Sequence, residues 1–161
     1  MRASVFAPVL ALTIGVSSTL ASAQTATQTV TFAVTAINQI SATGSPSLTV
    51  TTATAGGQPT AATDASSTWA VTTNQTGAKI SASIPTAMPT GLTLSVNLAA
   101  PSGATSAGLT SLGTVAVDLV TTITKVAQLG MTATYELAAT AAAGVVASST
   151  KVVTYTISGG T

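Results

Sequence analysis

The groups with acid chemistry in this 161-residue chain are three carboxylates, Asp64, Asp118 and Glu136. Glycoside hydrolysis needs two carboxyl groups facing one bond, so such a site would have to be built from these three. Asp64 lies in a predicted loop of small residues, whereas alternation places Asp118 and Glu136 on the outward faces of predicted strands. Because isolated surface charges are common on folded proteins, we interpret all three as solvated groups and predict no catalytic residue.

Histidine and cysteine are absent from the sequence. Triads that pair serine or cysteine with histidine, and the common zinc sites, therefore cannot form. No D-x-D run offers clustered oxygen ligands for calcium, and no glycine-rich segment carries the G-K-[ST] of a phosphate-binding loop. A serine–lysine dyad is compatible with the composition, although no motif marks one. We expect a protein that is not an enzyme and that holds no cofactor and no metal ion.

Two further features have both a binding and a structural interpretation. Residues 74–76 (Asn-Gln-Thr) match the acceptor pattern for N-glycosylation, but asparagine is also common in turns, and we favour the turn. Trp69, the single tryptophan, would stack on a sugar if it were exposed. Its alternation with Val71, continued by Ile80, favours the core instead.

The first 23 residues have the pattern of a secretory signal peptide. Arg2 precedes an apolar run from Val5 to Val16, and residues 21–23 (Ala-Ser-Ala) form a small-x-small cleavage site. An uncleaved N-terminal anchor is the alternative, but the run is too short to span a bilayer comfortably. We predict cleavage before Gln24 and a secreted protein, extracellular or at the cell surface, that leaves the membrane.

The rest of the chain, roughly 140 residues, has the size of one domain, which we predict over residues 24–161. Charged residues make up 4% of the sequence and hydrophobic residues 46%, whereas disordered chains are typically highly charged. After cleavage, three lysines balance three acids, which gives no electrostatic basis for binding nucleic acid or anionic lipid. A net charge near zero also removes repulsion between copies, so we expect a homo-oligomer or a fibre.

Alternation of apolar and small polar residues, typical of half-buried strands, covers most of the chain. We predict a β-hairpin over residues 68–84, with its turn at residues 74–77. Further strands are predicted near residues 28–36, 48–52, 91–98, 115–119, 131–137 and 151–157. The side chains expected to anchor the core are Trp69, Val71, Ile80, Tyr135 and Tyr155. These segments predict an all-β fold, an antiparallel β-sandwich of about 7–9 strands.

The N-terminal strand has a distinctive setting. Residues 24–28 are polar and expected to be mobile, and residues 28–36 then alternate cleanly, with Val30, Phe32 and Val34 on one face. Such a strand either completes its own sandwich or is added to a sheet of another copy. Long loops are predicted at residues 54–65 and 101–108, and residues 121–130 are compatible with a short helical or irregular crossover.

Two segments, Thr132–Ala141 (TATYELAATA) and Lys151–Ile157 (KVVTYTI), resemble those of secreted bacterial immunoglobulin-like β-sandwich proteins. That loose group includes surface-layer components and subunits of extracellular filaments. The resemblance implies an immunoglobulin-like sandwich and a structural role. The chain differs from chaperone-usher pilins in lacking their usual cysteine pair.

Two functions are therefore expected as alternatives. The first is a structural subunit of a secreted filament, pilus-like fibre or surface coat, in which Val30, Phe32 and Val34 carry assembly. The second is a secreted, non-catalytic binding module that recognises a glycan or a cell-surface protein through loops 54–65 and 101–108, because loops at the ends of sandwiches commonly carry recognition.

Overall fold

The computed structural model describes residues 22–161. The predicted signal peptide, residues 1–23, lies outside this range except for its last two residues. Val34–Thr161 form one compact unit, which contains every strand of the described residues. No helix within residues 22–161 is long and apolar enough to cross a membrane.

Nine strands, all paired antiparallel, form two sheets in the described part of the chain. Their bounds are β1 (Asn38–Thr43), β2 (Ala62–Thr73), β3 (Ala78–Ser83), β4 (Leu92–Leu98), β5 (Thr105–Ser106), β6 (Thr110–Ser111), β7 (Val117–Ile123), β8 (Val126–Ala139) and β9 (Thr154–Ser158). The first sheet has the order β1-β2-β8-β4-β6, and the second has the order β5-β7-β3-β9. A turn of 3-10 helix, Ala141–Ala143, follows β8. The prediction of an all-β fold is confirmed.

The two sheets differ in the length of their central strands. In the first sheet, β2 has 12 residues and β8 has 14. In the second sheet, β3 has 6 residues, β7 has 7 and β9 has 5. At about 3.4 Å per residue, the central strands of the first sheet are roughly 20 Å longer. The second sheet is therefore too short to cover the whole inner face of the first.

The core lies between the sheets because alternate side chains of each strand point inward. Trp69 and Val71 of β2 face inward from the first sheet, and Ile80 of β3 faces inward from the second; all three are buried. The other large buried apolar side chains are Ile84, Leu94, Val96, Leu98, Leu112, Leu119, Val120, Ile123, Met131 and Tyr135. Each contributes about 1.5–3 kcal/mol when fully buried, which is the main stabilisation available to a chain without disulfides.

The stretch around Trp69 does not form the predicted hairpin. Residues 74–77 do connect two strands, with Gly77 at a φ of +76°, but β2 pairs with β1 and β8, whereas β3 pairs with β7 and β9. The chain crosses here from one sheet to the other, so Trp69 and Ile80 approach from opposite sides of the core. A crossing and a hairpin share one local pattern, because both need two alternating segments and a turn.

Several predicted strand boundaries are wrong. Residues 28–36 and 48–52 contain no strand, although both alternate, because alternation does not provide a neighbouring edge with which to pair. Strand β2 already begins at Ala62, inside the predicted loop 54–65, and loop 101–108 contains β5. Residues 121–130 contain no helix, but the irregular crossover that was the other alternative is present. β7 ends at Ile123 in the second sheet and β8 begins at Val126 in the first, so the chain crosses between the sheets through Thr124 and Lys125.

Gly44 ends β1 where that strand lies closest to β2. Its φ is +104°, and a Cβ at this position would lie 2.7 Å from Ser67 Oγ and 2.9 Å from Ser67 Cα. Glycine is therefore required at position 44 for two reasons: the positive φ of its backbone and its close approach to β2.

We expect Gly44→Ala to lower the free energy of unfolding more than Gly56→Ala. Both glycines have positive φ, +104° and +83°, so both substitutions carry the conformational penalty of about 1–2 kcal/mol. Only at Gly44 does the added methyl group meet neighbouring backbone, since nothing lies within 4 Å of a Cβ built at Gly56. Chemical denaturation followed by Trp69 fluorescence measures the difference, and equal losses would contradict the close approach.

Candidate functional site

The three carboxylates lie on three different strands of the sandwich, and the side chains of Asp64 and Asp118 have polar partners. Asp64 lies in β2, not in a loop as predicted, and accepts hydrogen bonds from the backbone N–H groups of Ser47 (2.9 Å) and Ser66 (2.8 Å). The Ser66 hydroxyl also donates to it. That hydroxyl, followed by the two backbone donors, lowers the pKa of Asp64 below its ordinary value of 3.8. Asp64 therefore fastens the segment after β1 to the start of β2.

Asp118 takes part in an ion pair within the second sheet, and Glu136 lies in the first sheet. Asp118 of β7 accepts a hydrogen bond from Lys79 Nζ of β3 at 3.0 Å, and both side chains are close to half exposed. Such a pair contributes at most about 1 kcal/mol. Glu136 lies in the middle of the first sheet, opposite Thr63 of β2 and Ser95 of β4. Within residues 22–161 no three acidic side chains come close enough together to hold a metal ion.

A groove of about 910 Å³ lies between the sheets of the compact unit, at the end where the second sheet is too short. Its floor is the inner face of the first sheet. The apolar side chains that line it are Leu48, Val50, Met88, Leu92, Leu94, Tyr135, Leu137, Val146, Val153 and Tyr155. From the strands of the second sheet, it takes only Tyr155. The groove is the part of the sandwich interior that the second sheet leaves uncovered.

Two tyrosines join the sheets at the groove. The hydroxyl groups of Tyr135, on β8, and Tyr155, on β9, are 2.7 Å apart and share a hydrogen bond. Burial, followed by this hydrogen bond and the neighbouring phenol, raises the pKa of Tyr155 above its ordinary value of 10.0. Both residues were predicted core anchors; Tyr135 is buried, whereas Tyr155 remains half-buried at the margin.

The edge of β9 has no strand paired to it, although β1 contacts β9 and Asn38 at the start of β1 donates its amide to the oxygen of Gly159, just after β9. β9 pairs with β3 on one side only, and no other described strand follows it in the sheet. Its inward residues Val153 (immediately before the strand), Tyr155 and Ile157 are only partly buried, whereas Ile80 and Ala82 of the adjacent β3 are fully buried. The β9 side chains are less buried than those of β3 because an inward side chain of an edge strand has packing partners on one side alone.

Two irregular segments form the walls of the groove. One follows β1 over residues 44–53, and the other precedes β9 over residues 144–153. Lys151 fixes the second wall, since its Nζ donates to the backbone oxygen of Ala87 at 2.9 Å and to Thr86 Oγ1 at 2.7 Å. Ser67, at the floor, is buried and its Oγ has no hydrogen-bond partner. The groove is therefore bounded by these two irregular segments, which hydrogen bonds hold in place, rather than by a second sheet.

The alternating N-terminal segment belongs to no sheet. Residues 22–37 contain no strand. Val30, Phe32 and Val34 are exposed by 73%, 89% and 80%, so the predicted assembly residues present a row of apolar side chains to solvent. Scattered apolar residues are ordinary on protein surfaces, whereas these three occupy alternate positions of one segment.

The sequence also singled out Trp69, Asn74 and the loops 54–65 and 101–108 as possible binding features. Trp69 is 2% exposed and offers no surface for sugar stacking. Asn74 Oδ1 accepts from the Ile37 N–H at 2.8 Å and its Nδ2 donates to the Thr35 oxygen at 2.8 Å, so this amide positions the entry to β1. The groove takes only Pro59 from loop 54–65 and nothing from loop 101–108.

No protein-family model, no curated protein and no solved structure matches this chain.

Sequence reasoning found the groove residues only in part. The alternation predicts Tyr135 and Tyr155 as residues at the edge of the core with each hydroxyl at its rim, but it does not predict the opening beside them. The contacts of Lys151 with the loop after β3 have no sequence signal. The alternation of Leu48 and Val50 did signal an inward apolar face, although these residues form a wall and not a strand.

We expect Tyr155→Phe to lower the free energy of unfolding at neutral pH by about 1 kcal/mol, the contribution of one hydrogen bond. The wild type should also lose stability as the pH rises above 10, because the tyrosine of the unfolded chain ionises there while the folded protein, with its raised pKa, resists ionisation. Urea denaturation at pH 7 to 11 measures both effects. The advantage of the wild type over Tyr155→Phe should shrink with rising pH, and a constant advantage would contradict the raised pKa.

Proposed function

We propose that the protein is an exported structural subunit of an extracellular fibre or surface coat, and that it assembles by donating residues 28–36 as a strand to another copy. The observation that carries this proposal is the exposed row of Val30, Phe32 and Val34 in a segment that pairs with no described strand. A strand-like segment with one apolar face gains stability when it joins a sheet edge.

The energetics favour strand addition over simple apolar contact. Full burial of Val30, Phe32 and Val34 contributes about 1.5–3 kcal/mol for each side chain. Association costs roughly 4–15 kcal/mol in lost freedom of motion, so the three side chains alone only reach the lower part of that range. Backbone hydrogen bonds to a sheet edge and continued burial in a groove supply the remaining stabilisation.

The available sheet edges carry no charge to oppose such pairing. Natural sheets protect their edges with lysine, proline or very short strands. β5 and β6, at the other two ends of the sheets, have only two residues each. β1 and β9 have 6 and 5 residues and contain neither a charged residue nor proline. Residues 24–36 are uncharged as well, so donor and acceptor do not repel each other.

Donation from one end of the chain to a different surface of the next copy produces an open structure. Such head-to-tail contacts are not self-complementary, and they extend into filaments unless the rotation between subunits closes a ring. The predicted signal peptide supports export, and a cysteine-free chain keeps no thiols to oxidise outside the cell. We therefore assign the protein to the structural class rather than to enzymes.

The test compares Phe32→Asp with Thr31→Asp, together with deletion of residues 24–36. A charge on the apolar face of the donated strand should abolish assembly, whereas the same charge on the opposite face should have a much smaller effect, because adjacent residues of a strand face opposite ways. Size-exclusion chromatography and electron microscopy of the secreted protein measure assembly.

The deletion variant should be monomeric if the donated segment drives assembly. A wild type that is strictly monomeric before and after deletion would overturn the proposal. Saturable binding of that monomer on a glycan array would then favour the binding module instead. Equal assembly by both aspartate variants would also exclude donation of this face.

A further inference from the structure

The groove beside β9 has the properties of an acceptor for one more strand. We infer that its occupant is residues 28–36 of a second copy, added along the free edge of β9 as a further strand of the second sheet. This inference rests on the proposed function and identifies the site at which the donated strand binds. The occupied groove would complete the cover that the second sheet lacks over the first.

The spacing of apolar residues matches on the two sides. Val30, Phe32 and Val34 occupy every second position of the donor. Val153, immediately before β9, and Tyr155 and Ile157 within it occupy every second position and are only partly buried. Val153 and Tyr155 line the groove, whereas Ile157 continues the same row beyond it. Both rows span about 13 Å, four residues at roughly 3.3 Å each. A donor in this register would place its apolar row beside the row of β9 and complete its burial.

The chemistry of the groove also matches the donor. Of the described residues that line it, only Lys151 is charged, and its ammonium group is already bound to Thr86 and Ala87. Leu94 and Leu137 of the first sheet line the floor beside Ser67, and uncharged threonine and serine residues complete the lining. An uncharged segment with one apolar face fits these surroundings, whereas a charged segment would lose hydration without gaining a partner.

The other open edge, that of β1, is a poorer acceptor. Asn38, at an inward position of β1, already donates its amide to the Gly159 oxygen at 3.3 Å and accepts from Thr73 Oγ1 at 2.6 Å. Of the remaining inward positions, Ile40 is the one large apolar residue, since Ala42 is small. The edge of β1 therefore offers one apolar contact where the edge of β9 offers three.

Thiol crosslinking tests the site, because the natural chain contains no cysteine and introduced cysteines are its only thiols. Copies carrying Phe32→Cys are mixed with copies carrying Val153→Cys and treated with a bifunctional crosslinker that spans about 8 Å, the diagonal distance between neighbouring strands. In the inferred register Phe32 lies opposite Tyr155, so Val153 is a diagonal neighbour whichever way the donor runs. We expect a covalent dimer of one copy of each kind.

Matched controls lie one residue away on each partner. Val152 is 69% exposed and does not line the groove, so Val152→Cys places the same thiol on the opposite face. Thr31→Cys does the same for the donor. The yield of mixed dimer should be at least about tenfold higher for Phe32→Cys with Val153→Cys than for either control pair, because the faces of a strand alternate.

Each other outcome overturns a defined part of the inference. Equal yields for Val152→Cys and Val153→Cys would exclude the groove as the acceptor. A variant that carries both Phe32→Cys and Val153→Cys tests the intramolecular alternative. Crosslinking within single copies of this variant in dilute solution would show that residues 28–36 fill the groove of their own copy. If the wild type forms fibres but the cysteine variants give no mixed dimer, the proposed structural function is retained and the groove is rejected as the acceptor. A wild type that never assembles would remove both.

Discussion

The unequal length of the two sheets is the constraint on which the rest of this structure depends. The central strands β2 and β8 have 12 and 14 residues, whereas those facing them have 5 to 7. An apolar inner face that extends beyond its partner sheet must be covered, because exposed apolar area lowers stability. Here irregular segments cover it incompletely, and a groove lined by leucine, valine and tyrosine remains.

Several charged and polar groups of the described residues hold this arrangement together. Asp64 holds the wall after β1, Lys151 holds the wall before β9, and Lys79 links β3 to Asp118 of β7. The phenol pair of Tyr135 and Tyr155 joins the sheets where the groove begins. Asp64, Lys151 and the phenol pair therefore hold segments or strands that bound the groove, whereas the Lys79–Asp118 pair joins β3 and β7 away from it.

The proposed donor and acceptor would together account for two features that are unfavourable in an isolated subunit. An exposed row of Val30, Phe32 and Val34 and an unpaired, uncharged β9 edge would each promote unspecific aggregation. If the row of one copy is added to the edge of the next, both features are removed by one contact. The same contact leaves a new free groove and a new free segment at the two ends of the assembly, so growth continues.

The sequence by itself determined the fold class and the absence of the common catalytic residues. Alternation of apolar residues reports which side of a strand is buried, and it correctly indicated an all-β protein and buried positions for Trp69, Val71 and Ile80. It did not determine pairing: the stretch around Trp69 crosses between sheets instead of forming a hairpin, and residues 28–36 and 48–52 have no strand partner. Pairing depends on which edges the remaining chain leaves free, and that is set by contacts between residues far apart in sequence. Only the tertiary structure could therefore reveal the groove and the half-buried row beside it.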